Sequence, residues 1–258
     1  MSKIKQAFKS NKAFIAFITC GDPDLETTET AIRAAVSGGA DLIELGIPFS
    51  DPTAEGPVIQ GANLRALKGG ITTDKIFAFV ENLRQDITVP MVFMTYSNVV
   101  FSYGAEAFLS ACSRLSIDGL ILPDLPFEEK EEFLPVCRKY GIDLISLIAP
   151  TSKDRIAKIA KEAEGFLYIV SSLGVTGVRN EIQTNLKAIV DIVRQNTSIP
   201  SAIGFGISTP KQARKMAELA DGVIVGSAIV KFLEQYGTSA PEYIRSYVKS
   251  MKDAMDVL

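Results

Sequence analysis

The chain of 258 residues contains no histidine and only three cysteines. The missing imidazole excludes Ser–His and Cys–His nucleophile pairs, acid–base catalysis by histidine, and histidine-ligated metal sites. Cys20, Cys112 and Cys137 are far apart and form no C-x-x-C pair. We therefore predict neither a disulfide framework nor a metal site, and we expect the chain to work in the reducing cytoplasm.

Long apolar segments and an excess of basic charge are also missing. The sequence has no run of about 18 apolar residues, the length that could span a membrane. Residues 1–14 lack the apolar core of a signal peptide. The 27 basic and 30 acidic residues give a formal net charge of −3, without a basic cluster. This balance argues against nucleic acid as the main partner.

One pattern recurs along the chain: a short apolar run, a break at Gly, Pro or Asp, and then an amphipathic stretch. Because the runs are apolar throughout rather than alternating, they predict strands that are covered on both faces, as in a parallel sheet. Eight such runs occur, at residues 14–18, 41–45, 91–94, 119–122, 142–147, 166–170, 201–204 and 222–225.

Stretches with helical spacing separate these runs, at residues 27–37, 73–84, 105–114, 128–140, 153–162, 185–195 and 210–219. Eight strand–helix units in about 250 residues are typical of a (β/α)8 barrel. We predict an α/β fold, a single-domain (β/α)8 TIM barrel over residues 1–258, with a doubly wound open sheet as the alternative. Residues 46–60 and 171–184 form long loops after strands, which makes them candidate lids.

Glu44 is an acidic residue within the second apolar run. A carboxylate in a parallel strand is costly to bury unless it is paired, and desolvation would raise its pKa toward the range useful for acid–base catalysis. We predict that Glu44 is catalytic; a structural ion pair is the alternative. The runs offer no obvious lysine for the Schiff base of an aldolase.

Other polar side chains follow the predicted strands. Glu55 lies on the loop after the second run and is either a solvated surface charge or a site residue, since the surrounding Pro and Gly residues restrict the backbone. Asp22 and Asp124 follow the first and fourth runs, where each either serves the site or caps the following turn or helix. Tyr96 and Tyr168, near the ends of the third and sixth runs, are either core aromatics or substrate contacts.

Glycine motifs follow the last two strands, at Gly204-Phe205-Gly206 and at Gly226-Ser227. Glycine lets backbone N–H groups approach an anion, and a short helix that begins near Gly226 would point its positive end at one. Barrels commonly bind phosphate at these two loops. The sequence therefore predicts a phosphate site that is formed mainly by backbone amides.

Residues 42–52, which read Leu-Ile-Glu-Leu-Gly-Ile-Pro-Phe-Ser-Asp-Pro, closely resemble the tryptophan synthase alpha chain family. This motif is highly specific, whereas the glycine motifs also occur in other phosphate-binding barrels. Further motifs of the same family follow in order over the whole length, at residues 21–23, 56–60, 96–98, 124–126, 174–177, 204–207 and 226–230.

The resemblance implies a retro-aldol cleavage of indole-3-glycerol phosphate to indole and glyceraldehyde 3-phosphate. It implies that Glu44 protonates the indole C3 and helps to deprotonate the side-chain hydroxyl, and that Glu55 polarises the indole N–H. The family usually has aspartate at position 55 and an apolar residue at position 53, where this chain has Glu55 and Thr53.

The resemblance also implies the contacts to the substrate. The indole would lie between aromatic side chains, a closing loop would cover the site, and glycine amides would hold the phosphate. The implied substrate-binding residues are Phe17, Tyr96, Asp124, Tyr168, Thr176, Gly177, Phe205, Gly206, Gly226 and Ser227.

A partner is implied as well: a tryptophan synthase beta chain, which carries pyridoxal phosphate and consumes the indole in a complex of two alpha and two beta chains. No cofactor is expected in this chain. Pro48, Asp51 and the helix after their loop are the expected contact region. Two other functions stay open, an enzyme similar to indole-3-glycerol phosphate synthase and a catalytically weak regulatory subunit that activates a partner.

Overall fold

The computed structural model describes residues 3–9, 12–170, 183–204 and 206–256. Parallel strands form a closed barrel in chain order, and the last strand pairs with the first. The strands are β1 Ala13–Thr19, β2 Leu42–Gly46, β3 Met91–Met94, β4 Gly119–Ile121, β5 Asp143–Ile148, β6 Leu167–Val170, β7 Ser201–Gly204 and β8 Gly222–Val225.

The predicted (β/α)8 barrel is confirmed. Each of the eight predicted strands occurs, with its ends within one residue of the prediction. Pairing of β1 with β8 closes the sheet, which excludes the doubly wound open sheet because an open sheet keeps two unpaired edges.

Helices surround this barrel. None of them, over the described ranges, is long and apolar enough to cross a membrane. They are α1 Ile4–Ala7, α2 Leu25–Ser37, α3 Pro57–Lys68, α4 Thr73–Leu83, α5 Ser97–Tyr103, α6 Ala105–Arg114, α7 Leu134–Tyr140, α8 Lys153–Lys161, α9 Gln183–Asn196, α10 Pro210–Leu219, α11 Ser227–Tyr236 and α12 Ala240–Asp256.

Two sequence predictions differ from the observed helices. The helix predicted over 128–140 is wrong in its first half, where a 3-10 helix over Phe127–Glu132 precedes α7. Pro135 lies in the first turn of α7, where a missing N–H is tolerated, whereas the middle of a longer helix would lose a hydrogen bond there. The loop predicted over 46–60 ends at Gly56, because α3 begins at Pro57.

The side chains of the strands alternate between the barrel interior and the layer beneath the helices. On β1, Ile15 and Phe17 belong to the interior cluster, whereas their neighbours pack toward the helices. Both layers are buried, which explains why the strands are apolar throughout. On β2, Leu42 faces the interior, and Glu44, two residues later, shares that face.

Candidate active site

Glu44 lies inside the barrel near the carboxyl end of β2, paired in register with Phe17 on β1 and Val92 on β3. It is 1% exposed. Neither carboxyl oxygen has a hydrogen-bond partner among the described residues, so the alternative of an ion pair finds no partner within those ranges. Burial, together with the nearby charge of Glu55, raises the pKa of Glu44 to about 8. At neutral pH this carboxyl group is therefore mostly protonated.

Glu55 is the second acidic group of the site and lies on the loop between β2 and α3. Asn63 of α3 donates a hydrogen bond of 2.6 Å from Nδ2 to Glu55 Oε2. Burial raises the pKa of Glu55 to about 7, and the hydrogen bond from Asn63 opposes this shift. Glu55 is thus about half ionised near neutral pH.

The two carboxyl groups differ in protonation because their surroundings differ. Glu44 is buried without a donor among the described residues, whereas Glu55 accepts a hydrogen bond that favours its charged form. Two titratable groups whose environments separate their pKa values in this way supply one acid and one base at the same pH. The pair that the sequence predicts is therefore chemically able to move a proton.

Tyr168 on β6 also lies close to Glu44. Burial raises the pKa of Tyr168 well above its usual value, and the negative charge of Glu44 adds to the shift. The ring occupies the space where a side chain at position 204 would stand, because a Cβ on Gly204 would lie 2.6 Å from Tyr168 Oη. Gly204 on β7 therefore makes room for the tyrosine.

Phe17 is held in a similar way between two glycines. A Cβ on Gly46 would lie 2.7 Å from Phe17 Cζ, and one on Gly226 would lie 3.2 Å from Phe17 Cδ1. The sequence suggested that glycine at 226 serves a bound anion. The structure gives a second reason for a glycine at this position, because a side chain at 226 would crowd the ring of Phe17.

Tyr96 fixes the loop that carries Glu55. Its hydroxyl oxygen accepts a hydrogen bond of 3.0 Å from the backbone N–H of Ala54. Its ring stacks on Phe49, with centroids 5.1 Å apart. Tyr96 is itself buried. Through its contacts with Phe49 and Ala54 it positions the loop backbone next to Glu55.

The two aspartates have different partners. Asp22, at the end of β1, is fully buried and accepts two hydrogen bonds from Arg65 of α3, at 2.7 and 2.9 Å. Asp124 is exposed and accepts from the backbone N–H of Ser97, at 2.9 and 3.1 Å. Asp124 therefore binds the first N–H group of α5, a helix that precedes it in the chain. This contact differs from the predicted cap of the following turn or helix.

The glycines of the predicted phosphate site lie at the carboxyl end of the barrel. Gly206 has φ +73°, a conformation that L side chains rarely adopt, and a Cβ there would meet nothing within 4 Å. Gly226 precedes α11 and provides no side-chain cap for it. The first N–H groups of a helix lack intrahelical partners, so Ser227 and the next residue present donors suited to an anion.

Several predicted residues lie outside the described ranges: Thr176, Gly177 and Phe205. Most of the second candidate lid, residues 171–182, lies outside as well. Within the described ranges, no group of three or more Cys, Asp or Glu side chains is arranged to hold a metal ion.

Sequence reasoning missed Asn63 and Arg65, which hold Glu55 and Asp22. A signal for Asn63 was present, since it is a polar residue on the buried face of α3, beside Ala62 and Ala66. Buried amides are rarely left without a partner. Arg65 had no comparable signal, because its pairing depends on how α3 packs against the end of β1.

The raised pKa of Glu44 predicts a pH-dependent stability. An unfolded glutamate has a pKa of about 4.3, whereas that of Glu44 in the folded chain is about 8. The folded state binds this proton more tightly, so the free energy of unfolding falls as the pH rises through that window. Glu44→Gln cannot ionise, so its gain in stability over the parent chain should be larger at pH 9 than at pH 5, measured by urea unfolding.

The control for this measurement is Glu81→Gln, the same change at an exposed glutamate of α4. It should alter the unfolding free energy equally at both pH values. If the free energies of unfolding of Glu44→Gln and the parent chain differ by the same amount at pH 5 and pH 9, the raised pKa of Glu44 is contradicted.

The hydrogen bond from Asn63 predicts a shift in Glu55. Asn63→Ala removes the donor that favours the carboxylate, so the pKa of Glu55 should rise above about 7. One hydrogen bond to a charged group accounts for about one pH unit. Carboxyl ¹³C chemical shifts during a pH titration measure this. Gln60→Ala is the control, because Gln60 donates to the backbone oxygen of Glu55 rather than to its carboxylate; an equal shift in both variants would contradict the assignment.

Comparison with known proteins gives a consistent result. A family model described as tryptophan synthase alpha chain matches residues 2–256. The tryptophan synthase alpha chain of Lacticaseibacillus casei is 52% identical over 256 residues, which cover 99% of this chain and 96% of that one. The alpha chain of Lactiplantibacillus plantarum is 49% identical, with coverage of 99% and 97%.

Solved structures agree with the sequence relatives. The crystal structure of tryptophan synthase subunit alpha from Legionella pneumophila superposes with a TM-score of 0.90 at 37% identity, over 100% of both chains. A tryptophan synthase structure from Mycobacterium tuberculosis gives a TM-score of 0.88 at 31% identity, over 99% of both chains.

Proposed function

The chain belongs to the tryptophan synthase alpha chain family, and we propose that Glu44 and Glu55 are the two carboxyl groups that carry its reaction. Alpha chains of this family cleave indole-3-glycerol phosphate to indole and glyceraldehyde 3-phosphate. This retro-aldol step breaks the bond between the indole C3 and the carbinol carbon. It needs a proton delivered to C3 and a proton removed from the hydroxyl group.

Glu44 is suited to both transfers. In its protonated form it gives its proton to the indole C3, which turns the ring into an electron sink. The resulting carboxylate takes the hydroxyl proton as the carbon–carbon bond breaks and the aldehyde forms, and the electron pair of that bond restores the aromatic indole. Glu44 ends the cycle protonated, as it began. The observation that carries the proposal is its buried carboxyl group, which has no partner among the described residues and a pKa of about 8.

Glu55 would stabilise the ring while it is protonated. Protonation at C3 places positive charge on the indole nitrogen, and a carboxylate that accepts the N–H hydrogen bond offsets that charge. Asn63 binds Oε2, which leaves Oε1 for the substrate. We infer that the loop, fixed by Tyr96, is adjusted to the longer glutamate so that its carboxylate reaches the indole N–H.

The remaining contacts follow the shape of the barrel mouth. Phe17 and Tyr96 would flank the indole, and Tyr168 would lie beside Glu44, in line with the coupling of their charges. The phosphate would bind between Gly206 and the start of α11 at Gly226 and Ser227, whose amides suit an anion. Asp124, Thr176, Gly177 and Phe205 stay predicted substrate contacts.

The indole would pass to a beta chain, and pyridoxal phosphate belongs to that chain in this family. We propose that the contact face surrounds the loop with Pro48 and Asp51. Two exposed apolar side chains lie on the helices that follow this loop and β3: Leu64 on α3 is 53% exposed and Phe101 on α5 is 75% exposed. A partner chain would cover such side chains at an interface.

We further propose that residues 1–258 act as one barrel domain in the cytoplasm. The three cysteines Cys20, Cys112 and Cys137 are free and buried. Free thiols fit a reducing compartment.

Glu44→Gln tests the proposed acid–base group directly. Glutamine keeps the size of the side chain but cannot transfer a proton, so kcat for indole release should fall at least about 10²-fold while KM changes little. Indole release is measured with the chain alone and with the beta chain added. Glu81→Gln on exposed α4 is the matched control and should match the parent chain. Activity of Glu44→Gln within a few-fold of the parent would refute the role.

Two substitutions at position 55 test the adjusted loop. Aspartate is shorter than glutamate by one bond of about 1.5 Å, and a displacement of about 1 Å can reduce a rate about 10²-fold. Glu55→Asp and Glu55→Gln should therefore both lose activity, even with the beta chain present, since one loses reach and the other loses charge. If Glu55→Asp equals or exceeds the parent, the loop is not adjusted to glutamate, and the parent chain depends on its partner to reshape the loop.

A further inference from the structure

Tyr247 of α12 lies outside the barrel, yet it contacts both segments at which the phosphate would bind. Its hydroxyl donates a hydrogen bond of 3.0 Å to the backbone carbonyl of Ser208, two residues after Gly206 in the loop that follows β7. Its ring packs against Phe232 of α11, with centroids 5.2 Å apart. One side chain thus connects the β7 loop to the helix that begins at Ser227.

The connection to α11 is rigid because Phe232 belongs to an aromatic cluster. Phe232, Tyr236, Tyr243 and Tyr247 pack between α11 and α12, and the rings of Tyr236 and Tyr243 stack with centroids 3.9 Å apart. Aromatic pairs of this kind add to the stability of packing beyond the area that they bury. The cluster therefore fixes α11 relative to α12, the helix that carries Tyr247.

Other contacts also hold the β7 loop, because Ile207 is buried in the hydrophobic core. The capping residues of α10 hold its far end, where Gln212 Oε1 accepts from the backbone N–H groups of Ser208 and Thr209, at 2.9 and 3.1 Å. A Cβ on Gly206 would meet no atom of the described residues within 4 Å, its chain neighbours aside. The hydrogen bond from Tyr247 to the Ser208 carbonyl adds a direct polar contact between this loop and α12.

We propose that Tyr247 is a positioning residue for the phosphate end of the substrate, holding the β7 loop at a fixed distance from the N-terminus of α11. This inference rests on the proposed phosphate site between Gly206 and Ser227. Backbone donors from two separate segments bind one anion well only when their spacing is fixed before binding. Tyr247 fixes that spacing without contacting the substrate.

Tyr247→Phe removes only the hydroxyl and keeps the ring against Phe232. In the full chain with the beta chain, KM for indole-3-glycerol phosphate should rise about five-fold, an effect within reach of one lost hydrogen bond, while kcat changes by less than about two-fold. For the chain alone, glycerol 3-phosphate should bind about five-fold more weakly, whereas indole, which has no phosphate, should bind as before.

The matched control is Tyr243→Phe, which removes a hydroxyl from the same cluster. Tyr243 is 47% exposed, and no hydrogen bond joins it to the β7 loop within the described ranges. This variant should keep the parent affinities. If the two variants bind glycerol 3-phosphate equally well, or if Tyr247→Phe weakens indole and glycerol 3-phosphate alike, then Tyr247 has no positioning role.

A separate measurement distinguishes failure of this inference from failure of the phosphate site. In the parent chain, glycerol 3-phosphate should shift the backbone amide resonances of Gly206 and Ser227. If it shifts neither, the proposed phosphate site is wrong and the inference is wrong with it. If it shifts both and Tyr247→Phe binds like the parent, only the positioning role is refuted.

Discussion

The cost of burying a carboxyl group inside the barrel determines how the rest of the site is built. The strands around Glu44 are apolar and fully covered, so its charged form is unstable there and its neutral form is favoured. A neutral acid needs no counter-ion, which fits a barrel whose strand runs offered no obvious lysine. The register of β2 between β1 and β3 fixes the position of this carboxyl group. Regular backbone sets such a position more accurately than a loop does.

The barrel interior also has a fixed volume, and two of its large rings lie where neighbouring backbone carries no side chain. Phe17 uses the space at Gly46 and Gly226, and Tyr168 uses the space at Gly204. Small residues opposite large ones fill a closed barrel in this way. Both rings are thus positioned by glycines, and a larger residue at any of the three positions would press against a ring.

This double use of glycine shows where prediction from sequence ends. Burial on both faces leaves its signature within each strand, so the strands and the isolated acid at Glu44 could be predicted from local composition. A glycine motif, in contrast, looks the same whether its missing side chain makes room for an anion or for a ring such as Phe17. The contact of Arg65 with Asp22 joins residues 43 positions apart. This contact depends on tertiary packing, and the sequence around Arg65 or around Asp22 does not predict it.

Helix α3 connects the loop that carries Glu55 to the opposite end of the candidate site. Asn63 holds Glu55, and Arg65, which lies two residues later on a different face of the helix, pairs with buried Asp22 at the end of β1. Moving α3 would leave that buried carboxylate unpaired, which is strongly unfavourable.

Helix α3 also adjoins α11. The exposed contact between Arg65 and Glu234 of α11 adds little stability by itself, but α3 and α11 also pack together. Glu55 is therefore attached to a helix that is fixed to the barrel rim, and that helix adjoins the one at whose start the phosphate would bind. A substrate with an indole at one end and a phosphate at the other requires such a constant separation.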